Sequence, residues 1–236
     1  MTTFSVIGTP IGNLGDITLR ALETLKKADL ILCEDTRMTK KLLSHYAISK
    51  PTLSYHAQSA ISRTEDILKY IKEGKNLALV SDAGTPGISD PGSHLMQIIR
   101  AEFRAELASG ALKIETIPGP SALASALSIA GVPCADFTFL GFLPHKKGRE
   151  TLFKEIAVSE RTMVFYESPH RIMKTLEALE KQGEHNKLIT VCRELTKIFE
   201  EVVQGSAEEV KKYFEDNKDK VRGEFVVIVS PQKSTV

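Results

Sequence analysis

Along the first half of the chain, short apolar runs alternate with longer stretches whose apolar residues recur at helical spacing. The runs are Phe4–Ile7, Leu30–Cys33, Thr52–Tyr55, Leu77–Val80 and Lys113–Ile117; the helical stretches are Thr18–Lys27, Thr39–His45, Ser62–Glu73 and Gly92 to about Ala108. Runs this short and apolar suit strands covered on both faces, and strict strand–helix alternation predicts a mostly parallel α/β sheet with helices on both sides.

Beyond Pro120 the texture changes. A helix is predicted over Ser121–Ala130, followed by the aromatic run Phe137–Phe142, the basic turn His145–Glu150, and the segments TMVFYESPHR, LITVCREL, EEVVQG and GEFVVIVS. Several of these lie too close together for crossover helices, which predicts a mixed sheet with two or three helices, a last helix over Ser206–Asn217 and a final strand over Phe225–Ser230. The expected fold class is therefore two-domain α/β, with domains at residues 1–118 and 119–236.

Three strand-end segments are rich in Gly, Pro and hydroxyl side chains: Val6–Asp16, Ser81–Gly92 and Thr116–Leu123. The second holds three Gly, two Pro, two Asp and three hydroxyls in twelve residues. Glycine opens backbone conformations closed to other residues and proline fixes φ, so such loops are rigid and present main chain. In open α/β sheets ligands bind at the carboxyl ends of strands, where all three segments fall. The first lacks the lysine and hydroxyl of a phosphate-binding P-loop and the spacing of GxGxxG. It also reads as a plain turn with Asp16 or Thr18 capping the next helix.

Composition narrows the class. With 236 residues, 42% hydrophobic and 26% charged, this is an ordinary globular composition. The formal net charge of +1 supplies no global field toward nucleic acid or membrane, so RNA binding would depend on local patches. Cys33, Cys134 and Cys192 are widely spaced, predicting three small buried hydrophobes in a reducing compartment, with neither a disulfide framework nor a metal site. No basic leader or bilayer-length apolar run is present, so a cytoplasmic protein without membrane contact is expected.

Charged groups cluster where strands end. Glu34, Asp35 and Arg37 follow the second strand and must be solvated, paired or aimed at substrate; Asp35 or Thr36 also suits a helix cap, and Arg37 suits a phosphate or ribose clamp. His56 ends the third strand. His170 and Arg171 begin a helix, where cations oppose the macrodipole, so a substrate anion is the expected explanation. Arg193–Lys197 with Glu200 and Glu201 form a cluster equally consistent with an internal ion-pair network and a binding role.

The segments VIGTPIGNLGDIT, CEDTRMTKKLL, SYH, LVSDAGTPGISDPG, IPGPSAL, GFLPHKKGR, FYESPHR and RELTK, in this order from about residue 4 to residue 230, resemble the tetrapyrrole methylase superfamily. Within it they are similar to the family of small-subunit ribosomal RNA methyltransferases I. The resemblance implies S-adenosylmethionine-dependent 2′-O-methylation of a cytidine in 16S rRNA by a homodimer, with the cofactor in a cleft between the domains and no metal. It implies cofactor contacts at Pro10 and Ile11, at Asp82, Ala83, Gly84, Thr85, Pro86, Gly87, Ile88 and Ser89, at Ser121 and Ala122, and at Tyr166, Glu194 and Glu224. Two departures from the family pattern are read: a connection around Arg100–Gly110 longer than usual, and, after the last strand, none of the additional C-terminal region that some members carry.

Transfer of a methyl group from a sulfonium to a hydroxyl gains most from positioning and from a group that accepts the hydroxyl proton. Asp35, His56, Asp82 and His170 are the candidate acceptors, with Asp35 and Asp82 preferred. Arg37, His56, Lys146, Lys147, Arg149, His170 and Arg171 are the candidate substrate contacts. Two other readings stay open: a tetrapyrrole methyltransferase acting on a macrocyclic acid, and a non-catalytic RNA-binding or assembly factor that neither binds nor turns over S-adenosylmethionine.

Overall fold

A computed structural model of the chain describes residues 1–56, 60–182 and 187–231. The chain divides into two compact units, Met1–Ser121 and Ala122–Val236.

The first unit is built on five parallel strands: β1 (Thr2–Ile7), β2 (Leu30–Cys33), β3 (Thr52–Ser54), β4 (Leu77–Leu79) and β5 (Leu112–Ile117). Their order in the sheet is β3-β2-β4-β1-β5, and β1 and β5 pair from Thr2↔Leu112 to Ile7↔Ile117. Because every strand runs the same way, all five carboxyl ends lie on one edge.

Alternation of side chains splits the sheet's apolar residues between two cores. Phe4, Leu32, Leu77 and Leu79 pack with Ile67 and Ile71 of α3 (Ala60–Lys72) and with Leu95 and Ile99 of α4 (Gly92–Glu102). Ile31, Cys33, Ala78 and Val80 pack on the other side with Ala21 and Leu25 of α1 (Leu19–Lys27) and Leu43 of α2 (Thr36–His45). Thr18 Oγ1 accepts from the Ala21 N–H at 3.1 Å and caps α1. Asp35 caps α2 and starts it three residues earlier than its periodicity predicts.

The helix expected from Gly92 to Ala108 is two helices, α4 and α5 (Arg104–Ser109). They part at Phe103, whose φ of −106° and ψ of 35° leave the helical region while its ring is buried in the core. Neither glycine nor proline stands at the break.

The second unit carries a mixed sheet of β6 (Phe137–Phe142), β7 (Thr162–Glu167), β8 (Lys187–Arg193), β9 (Glu201–Gly205) and β10 (Phe225–Pro231), in the order β6-β7-β10-β8-β9. β6 runs parallel to β7; β10 is antiparallel to both β7 and β8, and β8 to β9. Four helices accompany it among the described residues, where two or three were expected: α6 (Ala122–Ile129), α7 (Arg149–Val158), α8 (Ile172–Lys181) and α9 (Ala207–Asp216). The addition is α7, which grows out of the basic turn from Gly148 at φ +81° and buries Phe153, Ile156 and Ala157. Ser206 and Glu209 form a capping box at the start of α9. Of the three cysteines expected to be buried, Cys33 and Cys192 are, and Cys134 is exposed. No helix among the described residues is long and apolar enough to cross a membrane.

Candidate functional site

At the carboxyl edge of the first sheet, the loops after β1, β4 and β5 are bound together through main chain. Gly8 leaves β1 directly against Gly119, which leaves β5: a Cβ on Gly8 would lie 2.8 Å from Gly119 N, and one on Gly119 would lie 2.7 Å from Gly8 O. Thr9 and Gly84 exchange both main-chain hydrogen bonds, at 2.9 and 3.0 Å. Thr85 Oγ1 donates to Pro120 O at 3.3 Å, so the loop after β4 touches both neighbours. Gly84 (φ +79°), Gly87 (φ +88°) and Ser89 (φ +64°) take left-handed conformations that turn this loop over. Asp90 closes it by accepting from the N–H groups of Gly87 and Gly92, each at 2.7 Å. Pro10 and Ile11 are buried beneath, with Ile11 against Gly84. Asp82, Ala83, Ile88 and Ser89 are exposed, and Thr85 and Gly87 half-buried. Ser121 ends this unit and Ala122 opens α6 of the other, both half-buried.

Carboxylates gather at the same edge. Asp82 Oδ1 accepts from the Asp35 N–H at 2.9 Å, joining the ends of β4 and β2 and bringing the two preferred acceptors together. Arg37 grips Asp35 with two parallel bonds, Nε to Oδ1 at 3.1 Å and Nη2 to Oδ2 at 2.7 Å. The Arg37 hydrogen bonds hold Asp35 down at about 2, so Asp35 takes up a proton poorly and Arg37 already has an anion. Glu34 is half-buried between like charges. Burial first, then the charges of Asp90 and Asp82, push its carboxyl above the ordinary value, with the Asp82 N–H pulling the other way. Sequence reasoning named Glu34 only as one of three charged groups, because its neighbours Asp82 and Asp90 come from a strand end more than forty residues away. Ser54 Oγ donates to Glu34 O at 2.9 Å, and His56 follows as an exposed residue. The edge thus offers a glycine-shaped main-chain surface beside several carboxylates, a donor set suited to a ligand with positive charge and uncharged polar groups. Among the described residues, no three His, Cys, Asp or Glu side chains converge to hold a metal ion.

In the second unit the strand ends carry three clusters. Tyr166 meets Phe139 and Phe142 edge-on at 5.0 and 5.4 Å between centroids, and burial raises its hydroxyl pKa. Glu167, fully buried, takes Arg171 Nε at 2.7 Å, Thr175 Oγ1 at 2.6 Å and the Ser168 N–H at 2.9 Å, with Arg149 Nη2 at 3.6 Å. This corrects the expectation for Arg149 and Arg171. Their guanidiniums neutralise a buried carboxylate, which accounts for an arginine at the start of α8 without a substrate anion. His145, Lys146, Lys147 and His170 are exposed.

Glu194 and Glu224 are brought together by Lys197, whose Nζ lies 2.7 Å from a carboxylate oxygen of each. Glu194 holds φ +51° and also accepts from the Glu224 N–H at 3.0 Å. Of the two explanations left open for this segment, the geometry supplies an ion-pair network. A Cβ on Gly223 would stand 2.3 Å from Glu194 Oε1, so only glycine leaves room for the carboxylate.

Residues 3–211 match the profile of the family described as Tetrapyrrole (Corrin/Porphyrin) Methylases. A curated relative from Thermotoga maritima, named Ribosomal RNA small subunit methyltransferase I, is 44% identical over 226 residues, covering 95% of this chain and 96% of the relative. One of the same name from Escherichia coli O157:H7 is 40% identical over 230 residues, covering 97% and 78%. Among solved structures, diphthine synthase superposes with a TM-score of 0.71 at 14% identity, covering 98% of this chain and 90% of that one. The methyltransferase CobJ superposes at 0.69 and 20%, covering 98% and 95%. Uroporphyrin-III C-methyl transferase from Thermus thermophilus, complexed with S-adenyl homocysteine, superposes at 0.63 and 16%, covering 98% and 97%. At these identities the superpositions establish the fold.

Proposed function

Starting from the fact that this chain belongs to the tetrapyrrole methylase family, we propose that it is an S-adenosylmethionine-dependent methyltransferase of small-subunit 16S rRNA, modifying the 2′-hydroxyl of a cytidine. The observation that carries the substrate class is the 44% identity, over nearly the whole of both chains, with a relative named for ribosomal RNA. The solved methyltransferases share the fold at 20% identity or less.

The residues present fit the cofactor. S-adenosylmethionine, when bound, supplies a methyl group on a sulfonium whose departure leaves a neutral thioether. The main chain of Ala83, Gly84, Thr85, Pro86, Gly87, Ile88 and Ser89 would hold its polar groups, with Pro10, Ile11, Ser121 and Ala122 alongside. The carboxylates of Glu34, Asp82 and Asp90 suit its positive charge, and Arg37, tied to Asp35, leaves that charge unopposed. Tyr166, Glu194 and Glu224 are the contacts proposed from the second unit. Glu194 and Glu224 meet there on Lys197, so the group they would offer keeps one net negative charge.

The protein's part in the reaction is to orient the ribose hydroxyl and take its proton. Asp82 is the acceptor in this reading, since Asp35 is clamped by Arg37 while Asp82 is exposed at the end of β4. Orientation supplies most of the rate, and a placed acceptor adds about 10²–10⁴-fold. Lys146, Lys147 and His170, all exposed, are the proposed phosphate contacts, and His56, exposed after β3, is a further proposed substrate contact. A cytoplasmic homodimer belongs to the same reading.

The test is incubation with radiolabelled S-adenosylmethionine and small ribosomal subunits from cells lacking the modification, followed by digestion and mass spectrometry. Label on one cytidine ribose of 16S rRNA is the expected result. Cofactor binding without label on subunits or naked rRNA would redirect the assignment to a tetrapyrrole substrate, and absence of cofactor binding would leave a non-catalytic RNA-binding protein.

A further inference from the structure

The buried cluster around Glu167 holds more positive than negative charge: two guanidiniums face one carboxylate. The surplus goes to the chain that leaves β6. Arg171 Nη2 donates to Leu143 O at 2.8 Å, and Arg149 Nη1 donates to Pro144 O at 3.1 Å. Arg149 Nη2 also donates to Thr175 Oγ1 at 2.7 Å, which itself donates to Glu167 Oε2. Arg149 is moreover the far end of the same loop, its N–H bonded to Lys146 O at 3.2 Å and its guanidinium stacked on Phe153 at 4.9 Å. The segment carrying His145, Lys146 and Lys147 therefore begins and ends on side chains that Glu167 holds. Glu167 and Thr175 have no exposed surface, and the Arg149 and Arg171 side chains are 18% and 15% exposed, so the anchor is internal while the two lysines project outward.

We infer that Glu167 is a positioning residue which, through Arg149 and Arg171, fixes the His145–Gly148 turn so that Lys146 and Lys147 meet the phosphates of the RNA substrate. The inference rests on the RNA reading above. The physical gain is preorganisation: lysines on an unanchored loop would be ordered only on binding, at the expense of affinity. Ordinary fold stability does not require the arrangement, because a buried ion pair gains little over apolar packing of the same volume, whereas a fork that spans a carboxylate and a loop carbonyl fixes one loop geometry.

Thr175→Val separates positioning from contact, since it deletes the hydroxyl shared by Arg149 and Glu167 at a buried site on α8 and leaves every charge in place. KM and kcat with unmodified small subunits, RNA affinity across a salt series, S-adenosylmethionine affinity and thermal midpoint are measured for this variant. The same set is taken for Thr175→Ser, for Arg149→Lys, and for Thr175→Val combined with Lys146→Ala and Lys147→Ala. The expected result is a KM for subunits raised about tenfold, with kcat and cofactor affinity unchanged. Arg149→Lys should do the same, and Thr175→Ser should restore the wild-type value. In the background lacking both lysines, Thr175→Val should raise KM no further. A lowered thermal midpoint with an unchanged KM would overturn the inference, as would an equal rise in KM without the lysines. If removal of the two lysines alone leaves RNA affinity and its salt slope unchanged, the phosphate assignment fails as well, and that outcome is distinct from failure of the anchor.

Discussion

Gly119→Ala tests whether close contact of main chain between two loops shapes the cofactor surface. Neither Gly119 nor Gly8 lies in the left-handed region, so alanine can adopt the backbone at either position and the effect is one of space alone. The added Cβ would stand 2.7 Å from Gly8 O, 2.9 Å from Gly8 C and 3.1 Å from Gly8 Cα, where ordinary contact begins at 3.4 Å. The loops must part by about 0.7 Å. If the whole movement fell on the bond from Gly8 N–H to Ile117 O, now 2.9 Å, it would stretch beyond a useful hydrogen bond. Overpacking of this kind costs about 1–3 kcal/mol and loss of the bond about 1 kcal/mol more. The same shift moves Thr9, and with it the Thr9–Gly84 pair that sets the loop after β4. S-adenosylmethionine affinity should fall at least about tenfold by calorimetric titration, since small displacements in a fitted site are costly. Gly110→Ala is the control: it imposes strain at φ +77° with nothing within 4 Å, so it should cost about 1 kcal/mol in urea unfolding and leave the affinity alone. A Gly119→Ala protein within about 0.5 kcal/mol of wild type, or one that keeps full cofactor affinity, would refute the reasoning.

Two further predictions concern charge. Asp82→Asn should lower kcat by about 10²-fold or more with RNA affinity retained and a much smaller loss of cofactor affinity, and Asp35→Asn, already withdrawn by Arg37, should lower kcat far less; the reverse order in single-turnover assays would transfer the proton to Asp35. The Glu194–Lys197–Glu224 group should show in stability against pH. Burial raises the Glu194 pKa, but Lys197 and the Glu224 N–H outweigh it, so its folded value lies below 4.5. Its contribution is complete above 4.5 and is lost as pH falls through that lower value. Burial lowers Lys197, but Glu194 and Glu224 outweigh it, so its folded value lies above 10.5, and its contribution is lost as pH rises through that value. The difference in urea midpoint between wild type and Lys197→Met should therefore be level between about pH 4.5 and 10.5 and shrink outside, and a difference flat across pH 3 to 12 would contradict the pairing.

Local chemistry made much of this fold legible. Thr18, Asp35 and Ser206 are cap residues whose short side chains bond the first turn, and apolar runs such as Leu77–Leu79 are strands buried on both faces. Features set by residues far apart in sequence were not. The sheet order, the contact of Gly8 with Gly119 and the like-charge environment of Glu34 all arise when strand ends separated by dozens of residues meet. Arg171 is the instructive case. Its position at a helix start suggested an external anion, while the partner, Glu167, stood four residues earlier in the same motif. That spacing was available as a signal, but only the end of β7 turns the carboxylate inward to meet it. The break at Phe103 carries no local sign, because neither glycine nor proline stands there and Leu95, Ile99 and Phe103 keep the four-residue spacing of one helix face.

The place of β10 has a consequence for synthesis. Within the first unit β4 joins β1 to β2 and β5 then adds beside β1, so the sheet can close once residue 117 is available. In the second, β7 and β8 are joined only through β10, the last strand to be made. Until it emerges, the sheet exists as two fragments, β6–β7 and β8–β9, each with an unpaired apolar edge. At ribosomal rates of about 5–20 residues per second, the roughly 110 residues between the two closures take on the order of 5–20 s. A nascent chain would thus carry a finished amino-terminal half and an open carboxyl-terminal one for that interval, and any truncation before Phe225 would leave the second unit without its central strand.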